Sequence, residues 1–255
     1  MLLRTDGLTV TFAGLRAVSS VDLEVGPGRL VGLIGPNGAG KTTFVDALTG
    51  FVPASGRVEL EGQDITGLPA HRRARTGLAR TWQSLELFDE MTVAENLQVA
   101  ADRPSVTGFL EDLIRPGRTR AGHAVDEALA IVGLADAADR LPTELSLGDR
   151  KLVGVARALA AGPRVLCLDE PAAGLDTAES EALGRRLRQV VETGVSILLI
   201  DHDMGLVLGV SDDVYVLDFG EVIAHGSPGE IRRDERVIGA YLGSRARAEH
   251  AGQPG

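Results

Sequence analysis

Residues 35–43 of this chain read GPNGAGKTT. The stretch matches the pattern G-x-x-x-x-G-K-(S/T), whose fixed positions are occupied by Gly35, Gly40, Lys41 and Thr42. The apolar run at 30–34 precedes it and predicts a buried strand, and residues 42–48 predict the start of a helix. A strand, a glycine-rich loop and a helix in this order predict a site for the phosphates of a nucleoside triphosphate.

The residue types of this loop suit phosphate oxygens. Gly38 and Gly40 let backbone N–H groups turn inward, and the helix start adds a partial positive charge of about 0.5. Lys41 is expected to reach the β- and γ-phosphates, and the Thr42 hydroxyl is expected to contact Mg²⁺. The other loop residues expected to bind the nucleotide are Asn37, Ala39 and Thr43. The alternative, a glycine turn without a ligand, is disfavoured by the complete pattern in this context.

The composition bounds the class of protein. With 255 residues, 44% of them apolar, the chain is expected to form a large globular α/β domain. No apolar run reaches the roughly 18 residues of a membrane span, and the first residues do not resemble a secretory signal. The single cysteine, Cys167, is expected to be a small buried hydrophobe. The missing signal and the single cysteine favour the cytoplasm. A net charge of −10 argues against general affinity for nucleic acid, so no nucleic-acid partner is expected.

Hydrophobic periodicity predicts the main layers of the fold. Strict alternation over 8–12 and 18–25 predicts antiparallel strands beside the main sheet. From 152 to 217, helical spacing alternates with short apolar runs, which predicts a mostly parallel sheet flanked by helices. The runs at 214–217 and 221–225 predict a closing hairpin. The fold class is therefore α/β, with an additional antiparallel β subdomain.

A helical lobe is predicted between two segments of the sheet. Thr92 and Glu95 have the spacing of a capping box, which predicts the start of a helix. Residues 102–122 contain several prolines and glycines and are predicted to be irregular, and a further helix is predicted at 124–132. Together these segments predict an inserted lobe at about 85–145.

Charged side chains follow two of the predicted strands. Asp169 and Glu170 come directly after the apolar run at 165–168, where the carboxyl edge of a parallel sheet binds ligands. Asp169 is expected to hold Mg²⁺ directly or through water, and Glu170 is expected to polarise the attacking water as a general base. The alternative is an exposed acidic turn. His202 follows the strand predicted at 197–200 and is expected to hydrogen-bond the γ-phosphate.

Two further features lie outside the loop and the carboxylate pair. Gln83 follows a predicted strand at 78–82, and its amide is expected to touch Mg²⁺ or the attacking water. Ser146 and Gly148 lie at a predicted helix start, which makes a second phosphate-binding position. Two separated positions in one chain predict a head-to-tail dimer that holds ATP between one subunit's loop and the other's serine-glycine turn. The alternative for Ser146 is an ordinary helix N-cap.

These motifs, in this order, resemble the ATP-binding subunits of ABC transporters. The resemblance covers 1–243 as one domain and leaves a polar tail at 244–255, which is expected to be disordered. It implies a P-loop NTPase fold of the ABC ATPase type, ATPase activity, and ATP with Mg²⁺. It also implies that Phe12 stacks on adenine and that Asp176, in the loop at 173–176, belongs to the nucleotide site.

A narrower resemblance is carried by the phrases FAGLRAV, ARTWQSLELFDEMTVAENL, EPAAGLD, LIDHDM and VIGAYLG. They are similar to the ATPases of branched-chain amino acid importers. The resemblance implies import of such amino acids through separate membrane permease subunits, which a groove of the helical lobe would contact. It further implies a second ATPase subunit, identical or paralogous, an extracytoplasmic solute-binding protein that acts indirectly, and a location on the inner face of the membrane.

The chain departs from the general family at its signature segment. It reads LSLGD where the family has LSGGQ, so that Leu147 and Asp149 replace glycine and glutamine, whereas Ser146 and Gly148 are retained. Three alternatives remain: the ATPase of a lipid or lipopolysaccharide exporter, a soluble ABC ATPase without a transport role, and a GTP-binding switch. The last lacks an N-K-x-D motif.

Overall fold

The computed structural model describes residues 1–81, 87–101 and 120–242. Its strands are, in chain order, β1 Leu3–Phe12, β2 Leu15–Val25, β3 Leu30–Ile34, β4 Ser55–Leu60, β5 Gln63–Asp64, β6 Leu78–Arg80, β7 Val165–Asp169, β8 Ser196–Ile200, β9 Asp213–Asp218 and β10 Glu221–Gly226. Its α-helices are α1 Lys41–Thr49, α2 Ala70–Arg75, α3 Val93–Ala101, α4 Arg120–Val132, α5 Leu147–Ala160, α6 Thr177–Glu192, α7 Met204–Val210 and α8 Pro228–Ile231, and residues 235–242 are also helical. Short 3₁₀ turns lie at Ala135–Ala137 and Pro142–Glu144.

The main sheet contains six of these strands in the order β10-β9-β3-β8-β7-β6. The outer pair β9 and β10 is antiparallel, and the other neighbours are parallel. Every residue of β3, β7 and β8 is buried, as is typical of parallel strands covered on both faces. The ends of β3 and β7 lie on either side of the end of β8, since Leu33 and Asp169 both pair with Ile200. The predicted parallel sheet and closing hairpin are confirmed.

The second sheet is antiparallel, with the strand order β2-β1-β4-β5. Leu3 of β1 pairs with Val25 on one side and with Leu60 on the other. Leu3 and Thr5 are buried, and so are Leu8 and Val10, but a register shift between Thr5 and Leu8 changes the phase of the alternation. Phe12 is exposed, although the alternation predicted it on the same face as Leu8 and Val10. This sheet is the predicted antiparallel β subdomain.

Two hydrophobic cores lie on opposite faces of the main sheet. Successive strand residues point to opposite faces, so Leu166 and Leu168 of β7 belong to one core and Cys167 belongs to the other. The first core is completed by α5, α6 and α7, and the second by α1 and the antiparallel sheet. Cys167 is the small buried hydrophobe that the sequence predicted.

The described part of the helical lobe shares the first core. Val93 and Leu97 of α3 and Leu129 of α4 pack in the same cluster as the strands. The capping box is present: the Thr92 hydroxyl accepts from the Glu95 N–H, and the Glu95 carboxylate accepts from the Thr92 N–H. Helix α4 begins at Arg120 rather than near residue 124, because the glycine at 122 falls in its first turn, where the amides have no intrahelical acceptor.

Several expectations fall outside the described residues. They concern Gln83 in 82–86, the irregular segment at 102–119 and the tail at 243–255. Among the residues that are described, no helix combines the length and the apolar character that a bilayer crossing requires.

Candidate functional site

The loop between β3 and α1 has glycines at the positions where its backbone turns. Gly38 and Gly40 have φ angles of 80° and 99°, in the left-handed region that glycine tolerates. A Cβ at Gly40 would lie 2.5 Å from the Ala17 carbonyl oxygen, and one at Gly35 would lie 2.1 Å from that of Leu217. Apart from the two adjacent residues, no atom in the described part of the chain lies within 4 Å of a Cβ built at Gly38, so this side of the loop is open. The loop is therefore packed against neighbouring backbone at Gly35 and Gly40 and is accessible to a ligand on the side of Gly38.

Neighbouring segments hold the loop from behind. The Gly220 N–H, in the turn between β9 and β10, donates to the Ala39 carbonyl oxygen at 2.9 Å. The Ser19 N–H of β2 donates to the Gly220 carbonyl oxygen at 2.8 Å. Burial raises the pKa of Tyr241 to about 12, and a hydrogen bond with the Gly35 backbone acts in the opposite direction. The sequence did not indicate these contacts, which fix the loop in place.

Helix α1 begins without a side-chain cap. Its N-cap, Gly40, offers no hydrogen-bond acceptor to the first-turn amides, so these N–H groups suit an anion. The Lys41 Nζ donates to the carbonyl oxygens of Gly35 at 2.7 Å and Pro36 at 3.1 Å. Burial lowers the pKa of Lys41, and the negative charges of Glu170, Asp169 and Asp201 counteract that effect. Lys41 thus lies inside the loop and faces the carboxylates.

The remaining loop residues differ in exposure. Asn37 and Thr42 are exposed, and Thr43 is half-buried, so their side chains are accessible to a ligand. The Ala39 side chain is buried, which leaves its backbone as the part that can contact the nucleotide. Phe12, at the end of β1, has 48% of its surface exposed, as an aromatic platform requires.

Asp169 ends β7 as a buried carboxylate, with 2% of the residue exposed. The Arg80 Nη2 donates to its Oδ2 atom at 2.7 Å, and the same guanidinium donates to Asp46 of α1. Burial raises the pKa of Asp169, whereas the hydrogen bond and the charge of Arg80 lower it. Arg80 was not among the residues singled out from the sequence. The feature that could have identified Arg80 in the sequence is a charged residue at the end of a strand that neighbours β7.

Glu170 lies beyond the end of β7 in a left-handed backbone conformation, with a φ angle of 49°. Its N–H donates to the Ile200 carbonyl oxygen at 2.7 Å, which holds the residue against the end of β8. The His202 Nδ1 atom lies 4.0 Å from the Glu170 Oε2 atom and 3.5 Å from the Asp201 Oδ1 atom. The His202 side chain is 58% exposed. The structure therefore brings Glu170 and His202 together at the sheet edge, as predicted from their places after two strands.

Asp201 stabilises the loops at this edge of the sheet. It is fully buried, and its two carboxylate oxygens accept from the N–H groups of Ala172 and Asp203, each at 3.0 Å. The first of these hydrogen bonds holds the turn that follows Glu170. Asp201 was not singled out from the sequence, because its supporting role depends on a contact between two loops that are distant along the chain.

The serine-glycine turn forms the start of α5. The Ser146 hydroxyl accepts from the Asp149 N–H at 3.1 Å and donates to the Asp149 Oδ2 atom at 2.9 Å. Ser146 is thus an N-cap, which was the alternative considered for it. A Cβ at Gly148 would meet only the ends of the Glu179 and Ser146 side chains, at 3.8 and 3.9 Å. Within the chain itself, the space around this position does not demand glycine.

Asp176 also acts as a helix cap. Its Oδ1 atom accepts from the Glu179 N–H at 2.8 Å, and its own N–H donates to the Glu179 carboxylate at 3.0 Å. This capping box begins α6. The hydrogen bonds of Ser146 and Asp176 stay within their own turns, whereas Lys41, Asp169, Glu170 and His202 gather at the carboxyl edge of the sheet.

A glycine loop between a buried strand and a helix, with a buried lysine and a pair of strand-end carboxylates, defines a P-loop protein that binds a nucleoside triphosphate. Comparison with known families is consistent with this class. The family described as ABC transporter matches residues 18–173, and the family described as branched-chain amino acid ATP-binding cassette transporter matches residues 221–247.

Known proteins resemble the chain over nearly its whole length. The high-affinity branched-chain amino acid transport ATP-binding protein LivG of Escherichia coli strain K12 is 44% identical, over 95% of this chain and 98% of LivG. The lipopolysaccharide export system ATP-binding protein LptB of the same strain is 36% identical, over 94% of this chain and 97% of LptB. The ADP conformation of MJ1267, an ATP-binding cassette of an ABC transporter, superposes with a TM-score of 0.84 at 31% identity, over 95% of this chain and 98% of MJ1267.

The chain belongs to the ABC transporter family. It is an ATP-binding subunit of that family, and such subunits are ATPases that work with membrane permease components.

Proposed function

We propose that this chain hydrolyses ATP to power the import of branched-chain or related amino acids through separate permease subunits. The observation that carries the hydrolytic part is a shared sheet edge: β3, which leads into the loop of Lys41, and β7, which leads into Asp169 and Glu170, end on either side of β8. The substrate class is supported by the similarity to LivG and by the branched-chain family match at 221–247.

Lys41 and the loop amides would bind the phosphates. The Lys41 ammonium donates to two loop carbonyl oxygens. A phosphate that enters the open front of the loop offers charged acceptors instead, and charge-assisted hydrogen bonds are about twice as strong as neutral ones. The uncapped amides of α1 add further donors. The phosphate tail would therefore lie along the start of α1.

Thr42 and Asp169 fit a magnesium ion. Both offer oxygen donors, which Mg²⁺ prefers; Asp169 is a buried carboxylate at the end of β7, and Thr42 lies in the first turn of α1. Mg²⁺ needs only one or two protein ligands when phosphates and waters supply the rest. Among the described residues, no group of three or more His, Cys, Asp or Glu side chains is arranged so that it could hold a metal ion by itself. Bound there, Mg²⁺ would neutralise charge on the phosphates. Gln83 is proposed as a further contact.

Glu170 would act as the general base. Its carboxylate lies next to the phosphate loop and is only partly exposed, so a water held between it and the γ-phosphate could lose a proton to it. The His202 Nδ1 atom faces Asp201 and Glu170. The other ring nitrogen, Nε2, is therefore the one that can donate to the γ-phosphate.

A second copy or a paralogue would complete the site. In this arrangement Ser146 and Gly148 of one subunit face the γ-phosphate bound by the other, while Phe12 stacks on adenine. Asp176, near the same boundary, would contact the nucleotide of the partner. The helical lobe would contact the permease at the inner face of the membrane, and an extracytoplasmic solute-binding protein would supply the solute to that permease.

Replacing Glu170 tests the hydrolytic part of this proposal. We expect Glu170→Gln to lose ~10²–10⁴-fold in ATP turnover, because the amide cannot accept the proton, while ATP still binds. Phosphate release and binding of a fluorescent ATP analogue measure the two properties. Glu181→Gln, at an exposed position of α6, is the matched control and is expected to keep full turnover. Undiminished turnover in Glu170→Gln would contradict the general-base role.

The similarity to LptB supports a second candidate, the ATPase of a lipopolysaccharide exporter. The two candidates differ in their membrane partners. Capture of the tagged chain from membranes of its own cells, followed by mass spectrometry, identifies the subunits bound to it. Permeases that accompany a solute-binding protein are expected for import. Export permeases without such a protein would favour the second candidate.

A further inference from the structure

One arginine joins three elements around the proposed metal site. Arg80 is the last residue of β6, and its side chain is 5% exposed. Its Nη2 atom donates to the Asp169 Oδ2 atom at 2.7 Å, and its Nη1 atom donates to the carboxylate of Asp46 on α1. A single guanidinium therefore links β6, the helix that follows the phosphate loop, and the strand that carries the carboxylate pair.

The chemistry of arginine makes this link rigid. The guanidinium is planar and presents its N–H groups in a fixed fork, so two carboxylates bound to it are fixed in direction and separation. Burying these charges is unfavourable unless they are paired, and a buried ion pair is weak evidence for stability alone. The arrangement is better explained by the positions that it gives to the two carboxylates and to the helix and strand that carry them.

The two carboxylates are linked to the proposed Mg²⁺ contacts in different ways. Asp169 is one of these contacts, and Asp46 lies on the same helix as the other, Thr42. Asp46 follows Thr42 by four residues on α1, and residues four apart lie on the same helix face. Holding Asp46 therefore fixes the face of α1 that presents the Thr42 hydroxyl. Arg80 also binds the Oδ2 atom of Asp169, so Oδ1 is the oxygen left to face the metal.

We propose that Arg80 is a positioning residue, which sets the separation between the Thr42 hydroxyl and the Asp169 carboxylate and so tunes Mg²⁺ binding. This inference rests on the proposed function, because it takes Thr42 and Asp169 as the metal's protein contacts. Arg80 itself touches neither the nucleotide nor the metal in this account. Its loss should therefore change how strongly Mg²⁺ enhances nucleotide binding, rather than nucleotide binding itself.

The test measures affinity for a fluorescent ATP analogue with Mg²⁺ and with EDTA, all in the Glu170→Gln background so that hydrolysis does not interfere. Arg80→Gln is expected to reduce the Mg²⁺-dependent gain in affinity by about 10–100-fold, the range for groups that support metal ligands. Affinity in EDTA should change by less than about twofold. Arg80→Lys should show a similar loss, because a single ammonium cannot reproduce the fork. Asp46→Asn should show a smaller loss in the same direction.

Arg73→Lys is the matched control. Arg73 is also buried and also contacts α1, but it donates to the carbonyl oxygens of Ala47 and Leu48 at the far end of that helix. The Arg73→Lys substitution should lower the melting temperature and leave the Mg²⁺-dependent gain in nucleotide affinity unchanged. Melting temperatures of all variants identify any that do not fold; if Arg80→Gln does not, Arg80→Lys and Asp46→Asn decide the question.

Two results would overturn the inference in distinguishable ways. If the folded Arg80 and Asp46 variants keep the full Mg²⁺-dependent gain, or lose affinity equally with Mg²⁺ and with EDTA, Arg80 is merely structural and the proposed function stands. If Mg²⁺ gives no gain even with Arg80 present, the metal assignment to Thr42 and Asp169 fails, and the inference fails with it.

Discussion

The Ser146 hydroxyl donates to Asp149, and the amide of Asp149 donates back to the same hydroxyl. The serine proton is therefore bound by a carboxylate of its own turn, which competes with any phosphate for that proton. A carboxylate at a helix start also interacts favourably with the helix dipole, where a partner's phosphate would otherwise bind. The departure of Asp149 from the glutamine of the general family is therefore expected to weaken the nucleotide-bridged dimer.

Asp149→Asn tests this expectation, because it removes the charge and retains an oxygen acceptor for Ser146. A charge at a helix start contributes ~0.3–1 kcal/mol, and the dimer contains two such turns. In the Glu170→Gln background with ATP, we therefore expect the dimer to become about three- to thirtyfold tighter, which corresponds to ~0.6–2 kcal/mol. Sedimentation equilibrium measures the dissociation constant. A weaker dimer would show that the carboxylate supports the turn instead of competing with phosphate.

Cys167 gives a second test at the level of a single residue. Burial raises the pKa of its thiol to about 12, so at pH 8 only about one molecule in 10⁴ carries a thiolate. We expect the folded protein to resist iodoacetamide at this pH and to react readily in denaturing urea. Mass spectrometry of the alkylated peptide measures the reaction. Rapid labelling without urea would contradict the placement of β7 in the core.

Some residues of the site could be predicted from local sequence and others could not. Lys41, Asp169 and Glu170 each follow a buried strand within a few residues, so a linear pattern contains them. The hydrogen bonds of Arg80 connect residues 34 and 89 positions apart, to Asp46 and Asp169. Such pairs depend on which strands become neighbours, and a single sequence does not specify that.

At the level of elements, the turn after β8 connects two helices to the sheet edge. Asp203 caps α7, where its Oδ1 atom accepts from the Leu206 N–H at 3.1 Å. Its Oδ2 atom accepts from the Ser180 hydroxyl of α6 at 2.8 Å. Since His202 lies in the same turn, this cap also fixes the place of the histidine.

Asp203→Ala should lower the free energy of unfolding by about 2 kcal/mol. Loss of an N-cap contributes ~1 kcal/mol, and loss of the hydrogen bond to Ser180 contributes ~1 kcal/mol. Ser180→Ala removes only the second interaction and should lower it by about 1 kcal/mol. Urea denaturation monitored by circular dichroism measures both. If the two variants are equally stable, Asp203 does not stabilise α7 as a cap.

Strands and helices differ in how well the sequence predicts their ends. The continuous apolar runs of β3, β7 and β8 predict these strands closely, because parallel strands are buried on both faces. The start of α4 was predicted too late, since residues 102–122 contain several prolines and glycines and were predicted to be irregular. Packing of α4 against α3 and α5 outweighs that local preference.

At the scale of the whole molecule, the candidate nucleotide site lies at the carboxyl edge of the main sheet. Two hydrophobic cores pack against the two faces of that sheet. The helix at 235–242 adds Tyr241 behind the phosphate loop. The order of motifs along the chain predicted this architecture. The relation between the loop and the segment that contains Gln83 lies outside the described residues.

The central claim concerns two copies of the molecule. Lys41 and the strand-end carboxylates form one half of a phosphate site, and the hydrogen bonds of Ser146 remain within its own turn. A second subunit would bring the two halves together around ATP. Without nucleotide, the negative charge of the chain, −10, favours separation of two copies. Nucleotide binding would therefore drive association, and hydrolysis would reverse it.

Light scattering after size-exclusion chromatography of the Glu170→Gln variant tests this claim most directly. We expect the Glu170→Gln protein to be a monomer without nucleotide and a dimer with saturating ATP and Mg²⁺. The additional replacement of Ser146 by a bulky residue should abolish the dimer and leave the monomer's affinity for ATP nearly unchanged. A Glu170→Gln protein that remains monomeric at saturating ATP would contradict the claim.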